Sequence, residues 1–122
     1  MNDRRTRLAG TFQRFAEEAQ NRAAVIRGIV LTGFPQGQAS IQTVMLHAHA
    51  LAGTGETMSA DRMGAIGAEI EDLLRALPPG SGPAPDLQDR LDALSAELSG
   101  AARDFDPNAA LDLFMQRIFP AG

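Results

Sequence analysis

Apolar residues recur at steps of three and four along almost the whole chain, and that period admits one class of fold. Leu8, Phe12, Phe15, Ala19, Ala23, Ile26 and Val30 trace a first stripe. Val44, Ala48, Leu51, Gly55 and Met58 trace a second, and Met63, Ile66, Ile70, Leu73 and Leu77 a third. Leu87, Leu91, Leu94, Leu98, Ala102 and Phe105 make the fourth. A helix advances by about 100° per residue, so each set falls on one side of a cylinder and can be buried there. No stretch of useful length alternates with a period of two, and β-branched residues are scarce, so a sheet has nothing to be built from.

Breakers and caps set the boundaries. Thr32-Gly33-Phe34-Pro35 stops the first helix, and Gly10 marks a point where it can break. Gln36-Gly37-Gln38-Ala39 reads as a turn, with Ser40 as N-cap of the second helix. Ser59 reads as the next N-cap, with Asp61 in the first turn. Pro78 to Pro85, with three glycine or serine residues among the prolines, reads as the clearest loop. Asp106-Pro107 reads as an N-cap followed by Pro at the first helical position, opening a short helix carrying Leu111, Phe114 and Ile118 and closed by Pro120. The expected fold is all-α: an antiparallel up-down-up-down four-helix bundle with a short extra C-terminal helix. Residues 1–122 are expected to form one domain, with its core in about 8–105 and the additional helix in 106–119.

Composition removes several kinds of chemistry. The chain has no cysteine, so thiol catalysis, disulfides and most zinc sites are out of reach. Net charge is −4, and all eleven basic residues are Arg. Six of them lie in residues 1–34, yet the balance is too acidic and too poor in aromatics for a nucleic-acid module. The longest apolar stretch, Gly28 to Phe34, is too short to span a bilayer, and Met1 to Arg7 is charged rather than signal-like. A cytoplasmic protein without membrane contact is expected.

His49 is the residue that points to function. On the second helix it lies off the apolar stripe, with Met45, Leu46, Ala52 and Gly53 one turn away and Gln42 and Glu56 further along the same face. Gly53 and Gly55 each cost about 1 kcal/mol relative to Ala inside a helix. Gly53 removes a side chain that would crowd the imidazole, and Gly55 faces the core. An imidazole left open in this way is a nucleophile. His47 does not pair with it: two residues apart on a helix means about 200° around the axis. His47 falls at the edge of the apolar stripe and reads as a partly buried, satisfied histidine. Neither histidine has a carboxylate at a convincing metal-site spacing, so no metal ligands are expected.

The segment His49-Ala50-Leu51-Ala52-Gly53-Thr54-Gly55 resembles the His-x-Leu-x-Gly signature of histidine-containing phosphotransfer (Hpt) domains. The likeness continues through Met63, Ile66, Ile70 and Glu71, which match the next helix and its recurrent Glu. Phe15-Ala16-Glu17-Glu18-Ala19 with Ile26 is similar to the helix before. It covers roughly residues 8–105. The resemblance implies that His49 accepts a phosphoryl group from a sensor histidine kinase or a receiver-domain aspartate and passes it to another response-regulator receiver. It implies no cofactor of the chain's own, Mg²⁺ being carried by the receiver, and no small-molecule substrate. Gln42, Ala52 and Gly53 would support the site, and Met45, Leu46 and Glu56 would dock the partner. The chain has no Gly-rich nucleotide loop and no room for an ATP-binding domain, so it is not expected to be a kinase. The other readings are an adaptor bundle that docks receivers or kinases without carrying phosphate, and a structural or dimerising bundle.

Two positions depart from the family pattern. Ala52 stands where many members have a Lys whose charge sits beside the phosphoryl group, and the Arg-rich first helix offers Arg14 or Arg22 as substitute cations. Ser59 stands where Gly is common.

Overall fold

A computed structural model, which describes residues 3–120, makes the four stripes helical except at the ends of three of them: Met58, Leu77 and Phe105 lie beyond their helices. The described residues form α1 (Asp3–Leu31), α2 (Gln38–Gly55), α3 (Asp61–Arg75), α4 (Pro85–Asp104) and α5 (Pro107–Ile118), with no strand among them. The first four helices form a bundle in which contacts run α1 to α2 to α3 to α4 and back to α1. Its centre is filled by the residues that the periodicity singles out: Ile26, Val44, Ala48, Ile70, Leu91 and Leu98 are fully buried. The fifth helix packs on α1. Phe12, Ala110 and Leu111 form a second, smaller core there, with Leu8, Met58, Phe105 and Phe114 packed against it. The Phe12 and Phe114 rings meet edge to face at 5.5 Å, and Arg5 pairs with Asp112.

The helices also differ from the expected ones at Gly10 and at three of their starts. α1 runs unbroken through Gly10. α2 starts earlier than Ser40, because Gly37 takes a left-handed φ of 58° and turns the chain directly into the helix. Ser40 is therefore buried inside the first turn, where its hydroxyl accepts a hydrogen bond from the Gln36 N–H at 2.8 Å. Ser59 is not the N-cap of α3; Ala60 is, without a side-chain bond. Ser59 instead sits at φ 58°, in the backbone region that favours glycine, within the turn that follows Gly55. Pro85 belongs to α4 as its first residue rather than to the loop. The Asp106 cap is as expected: its carboxylate accepts from the N–H groups of Asn108 and Ala109.

α2 and α3 approach more closely than ordinary side chains allow. A Cβ placed on Gly55 would lie 2.7 Å from Gly64 Cα and 2.9 Å from the Ala60 carbonyl oxygen. One on Gly67 would lie 2.8 Å from the Ala48 carbonyl oxygen. This tight crossing brings the outer edge of α3 within reach of side chains on α2. Among the described residues, no helix is long and apolar enough to cross a membrane.

Candidate functional site

The inward side of α2 carries Val44, Ala48 and Leu51, all buried. His49 is one residue past Ala48, about 100° around the helix, and its side chain is 71% exposed. The face around it is uneven. Leu46 is 65% exposed; Met45 is half-buried and packed against the core. Gln42 is exposed and Ala52 half-buried. Gly53 is open to solvent, and a Cβ there would meet nothing within 4 Å. Glu56 lies on the same side but in the turn beyond the end of α2, not on the helix.

The imidazole is free on one side and held on the other. Its Nδ1 lies 2.9 Å from Oε2 of Glu71, on α3. Glu71 is buried, one of few charged groups in the interior. Its charge is balanced by Arg75 one turn along α3, whose guanidinium donates to the same Oε2 at 2.6 Å. A buried carboxylate beside Nδ1 favours the tautomer with its proton there. The lone pair is then on Nε2. A carboxylate so placed also stabilises positive charge that develops on the ring.

The second histidine is part of a separate cluster on the α1 side. His47 is half-buried, and its Nδ1 lies 3.0 Å from a guanidinium nitrogen of Arg22, which also pairs with Glu18 at 2.7 Å. Arg22 donates, so Nδ1 of His47 accepts and the ring is neutral. Burial, and then the Arg22 charge, hold the His47 pKa below the ordinary histidine value. The unfolded chain therefore binds a proton at His47 at higher pH than the folded one does. Stability from this group is complete above about pH 6.5 and is lost as pH falls from there through the lower folded value. Thermal unfolding between about pH 5 and 7.5 is expected to show a smaller pH dependence in His47→Gln than in the parent protein.

Arg22 is thus committed to His47 and Glu18, and Arg14 donates to the Thr11 hydroxyl. Neither contacts His49. The cation that the fold brings to the site is Arg75, through the oxygen it shares with His49. Sequence reasoning passed over Arg75, although a Glu and an Arg four apart on one helix are a legible pair. It placed Glu71 on the next helix without linking it to the ring. Among the described residues, no three His, Asp or Glu side chains converge to hold a metal ion.

A family model described as Hpt domain matches residues 11–104. No curated protein and no solved structure matches the chain.

Proposed function

The chain belongs to the Hpt domain family, and we propose that it is a cytoplasmic phosphocarrier that moves a phosphoryl group through His49. Hpt domains act in phosphorelays with histidine kinases and receiver domains, and they are carriers rather than kinases. The observation that carries the reading for this chain is one ring, exposed over most of its side chain and set at Nδ1 against a buried carboxylate.

The chemistry follows from that arrangement. The Nε2 lone pair of His49 attacks phosphorus of a receiver acyl phosphate in line with the aspartyl oxygen. An N–P bond forms, the P–O bond to the aspartate breaks, and its electron pair returns to the carboxylate. No proton has to leave, because Nδ1 already carries one. The ring gains positive charge, which Glu71 stabilises from 2.9 Å. Phosphoryl transfer depends mostly on positioning and charge neutralisation; Mg²⁺ on a receiver partner would supply the charge that neutralises the phosphoryl oxygens. The same steps run backwards toward a second receiver. Arg75 holds the Glu71 carboxylate in place through the oxygen it shares with His49, a cation reaching the site although Ala52 stands where the family often has Lys. Gly53 keeps the surface one turn beyond the ring bare, although a Cβ there would not itself reach the imidazole, and Leu46 offers apolar surface to the partner.

The test is transfer from a receiver domain phosphorylated on its aspartate with acetyl phosphate. The carrier gains label that is stable to base and lost in acid. A receiver that binds without labelling the chain supports the adaptor reading instead. Glu71→Ala is expected to slow transfer on the order of tenfold or more, as loss of a group that orients a catalytic histidine does. Nitrogen chemical shifts of His49 separate this effect from general damage: the variant should lose the bias toward the Nδ1–H tautomer while α-helical circular dichroism stays unchanged. An unaltered tautomer and rate would remove Glu71 from the mechanism.

A further inference from the structure

A groove of about 370 Å³ runs along α2 and α3 from Ala52, one turn beyond His49. Ala52, Gly64, Ala65 and Ala68 line it, together with the acidic residues Glu56 and Asp61. Arg117, which comes from α5, lines it as well. This helix lies outside the residues that match the family, 11–104. Arg117 donates to the Ser59 hydroxyl at 2.8 Å and to the Glu56 carbonyl at 3.4 Å. Both acceptors are neutral. Arg5, Arg27, Arg75 and Arg90, by contrast, each meet a carboxylate of the protein.

We infer that α5 extends the partner-docking face, and that Arg117 is a specificity-determining residue for the receiver that exchanges phosphate with His49. The inference rests on the phosphocarrier reading. Its occupant is a receiver helix that places a large apolar side chain over the alanines and a carboxylate, or its own C-terminal carbonyls, against Arg117. The groove adjoins the site, beginning at Ala52 one turn from His49. Even a transient interface covers about 600 Å² on each partner, a disc of about 14 Å radius. With a rise of 1.5 Å per residue, Ala52 is about 5 Å and Glu56 about 10 Å along α2 from His49. A partner centred on the ring therefore extends over the groove toward Glu56, whose carbonyl Arg117 binds. The alanines and Gly64 offer methyl groups and bare backbone, so the partner must supply the bulk. The groove also carries the carboxylates of Glu56 and Asp61, so a partner's negative charge is favoured only at Arg117, whose own acceptors are neutral. Charge at an interface rim governs partner choice and encounter more than tightness.

The experiment measures transfer to His49 as a function of the concentration of an acetyl-phosphate-charged receiver domain, using the receiver that labels the parent chain fastest. Arg117→Glu and Ala65→Trp are each expected to raise KM about five- to tenfold while leaving kcat within about twofold. Ala65 is exposed, so the indole fills the groove without entering the core. Arg117→Gln keeps an amide donor for Ser59 and Glu56 but removes the charge. It should raise KM less than Arg117→Glu does, and should weaken the dependence of KM on salt. If Arg117→Glu does not fold, the other two variants decide. Unchanged KM in Arg117→Gln and Ala65→Trp overturns the proposal. So does a fall in kcat at constant KM, because Arg117 would then act through the turn it braces. A parent chain that no receiver labels brings down the phosphocarrier reading itself, and this inference with it.

Discussion

His49→Gln is expected to accept no phosphate from any receiver, with its melting temperature unchanged. Gln matches the ring roughly in length and polarity but offers no nitrogen lone pair for phosphorus to bond. The side chain is 71% exposed and takes no part in the core, so its removal costs little packing. The remaining effect is on Glu71, which loses one partner but keeps Arg75 on the same oxygen. Transfer should fall below detection, a loss of several orders of magnitude, while receiver binding persists because Leu46 and the α2–α3 face are intact. His47→Gln should label like the parent, since that ring lies in the Arg22 cluster on the other side of the helix. Autoradiography after a short incubation reads both variants. Label on His49→Gln that disappears in His47→Gln would transfer the role to the wrong side of α2 and refute the assignment.

The largest expected loss of stability is at Gly55. Its missing Cβ is what lets α2 and α3 touch, and the three atoms nearest to a Cβ there all belong to backbone: Gly64 Cα at 2.7 Å, Gly64 N at 2.8 Å and the Ala60 oxygen at 2.9 Å. Side chains can rotate away from an intruding methyl; these atoms can move only if a helix moves. Overpacking of this kind costs about 1–3 kcal/mol, and a backbone obstacle places Gly55→Ala near the upper end. For a chain of this size that lowers the melting temperature by about 10 °C. Gly53→Ala, two residues earlier, is the matching control. Its Cβ would meet nothing within 4 Å, so the better helix propensity of Ala should stabilise the fold by up to about 1 kcal/mol. The pair separates glycine needed for close approach from glycine that keeps a surface clear. Calorimetry on both variants reads the difference. Gly55→Ala should also slow transfer, because pushing α3 away from α2 separates Glu71 from His49.

Helices were legible in this sequence because their signal is local. Each stripe repeats over several turns, and burying it requires nothing more than a neighbour. The boundaries were less legible where backbone conformation rather than side-chain capping decided them. Gly37 and Ser59 both take left-handed φ values, and Ser40 and Ser59, which look like caps, make other bonds. The site divides in the same way. An open His49 follows from its place on the helical wheel. Its pairing with Glu71 crosses from α2 to α3 and depends on how closely two glycine-containing surfaces pack, which no spacing along the chain encodes. The Arg excess of the first helix suggested a cation for the site, but Arg22 is drawn to His47 and Arg14 stays on its own helix. The contribution of α5 was hidden for a similar reason, since Arg117 reaches the α2–α3 turn from 58 residues beyond Ser59.

The solitary exposed ring on one rigid flank has a consequence for traffic. A donor and an acceptor that both need Nε2 cannot sit on the protein together. No three-body complex can form around it, and neither partner can be handed directly to the other. Each exchange must end in departure before the next begins. If His49 carries phosphate as proposed, an unphosphorylated receiver is expected to compete with the charged one, and labelling of the chain should slow as that receiver is added.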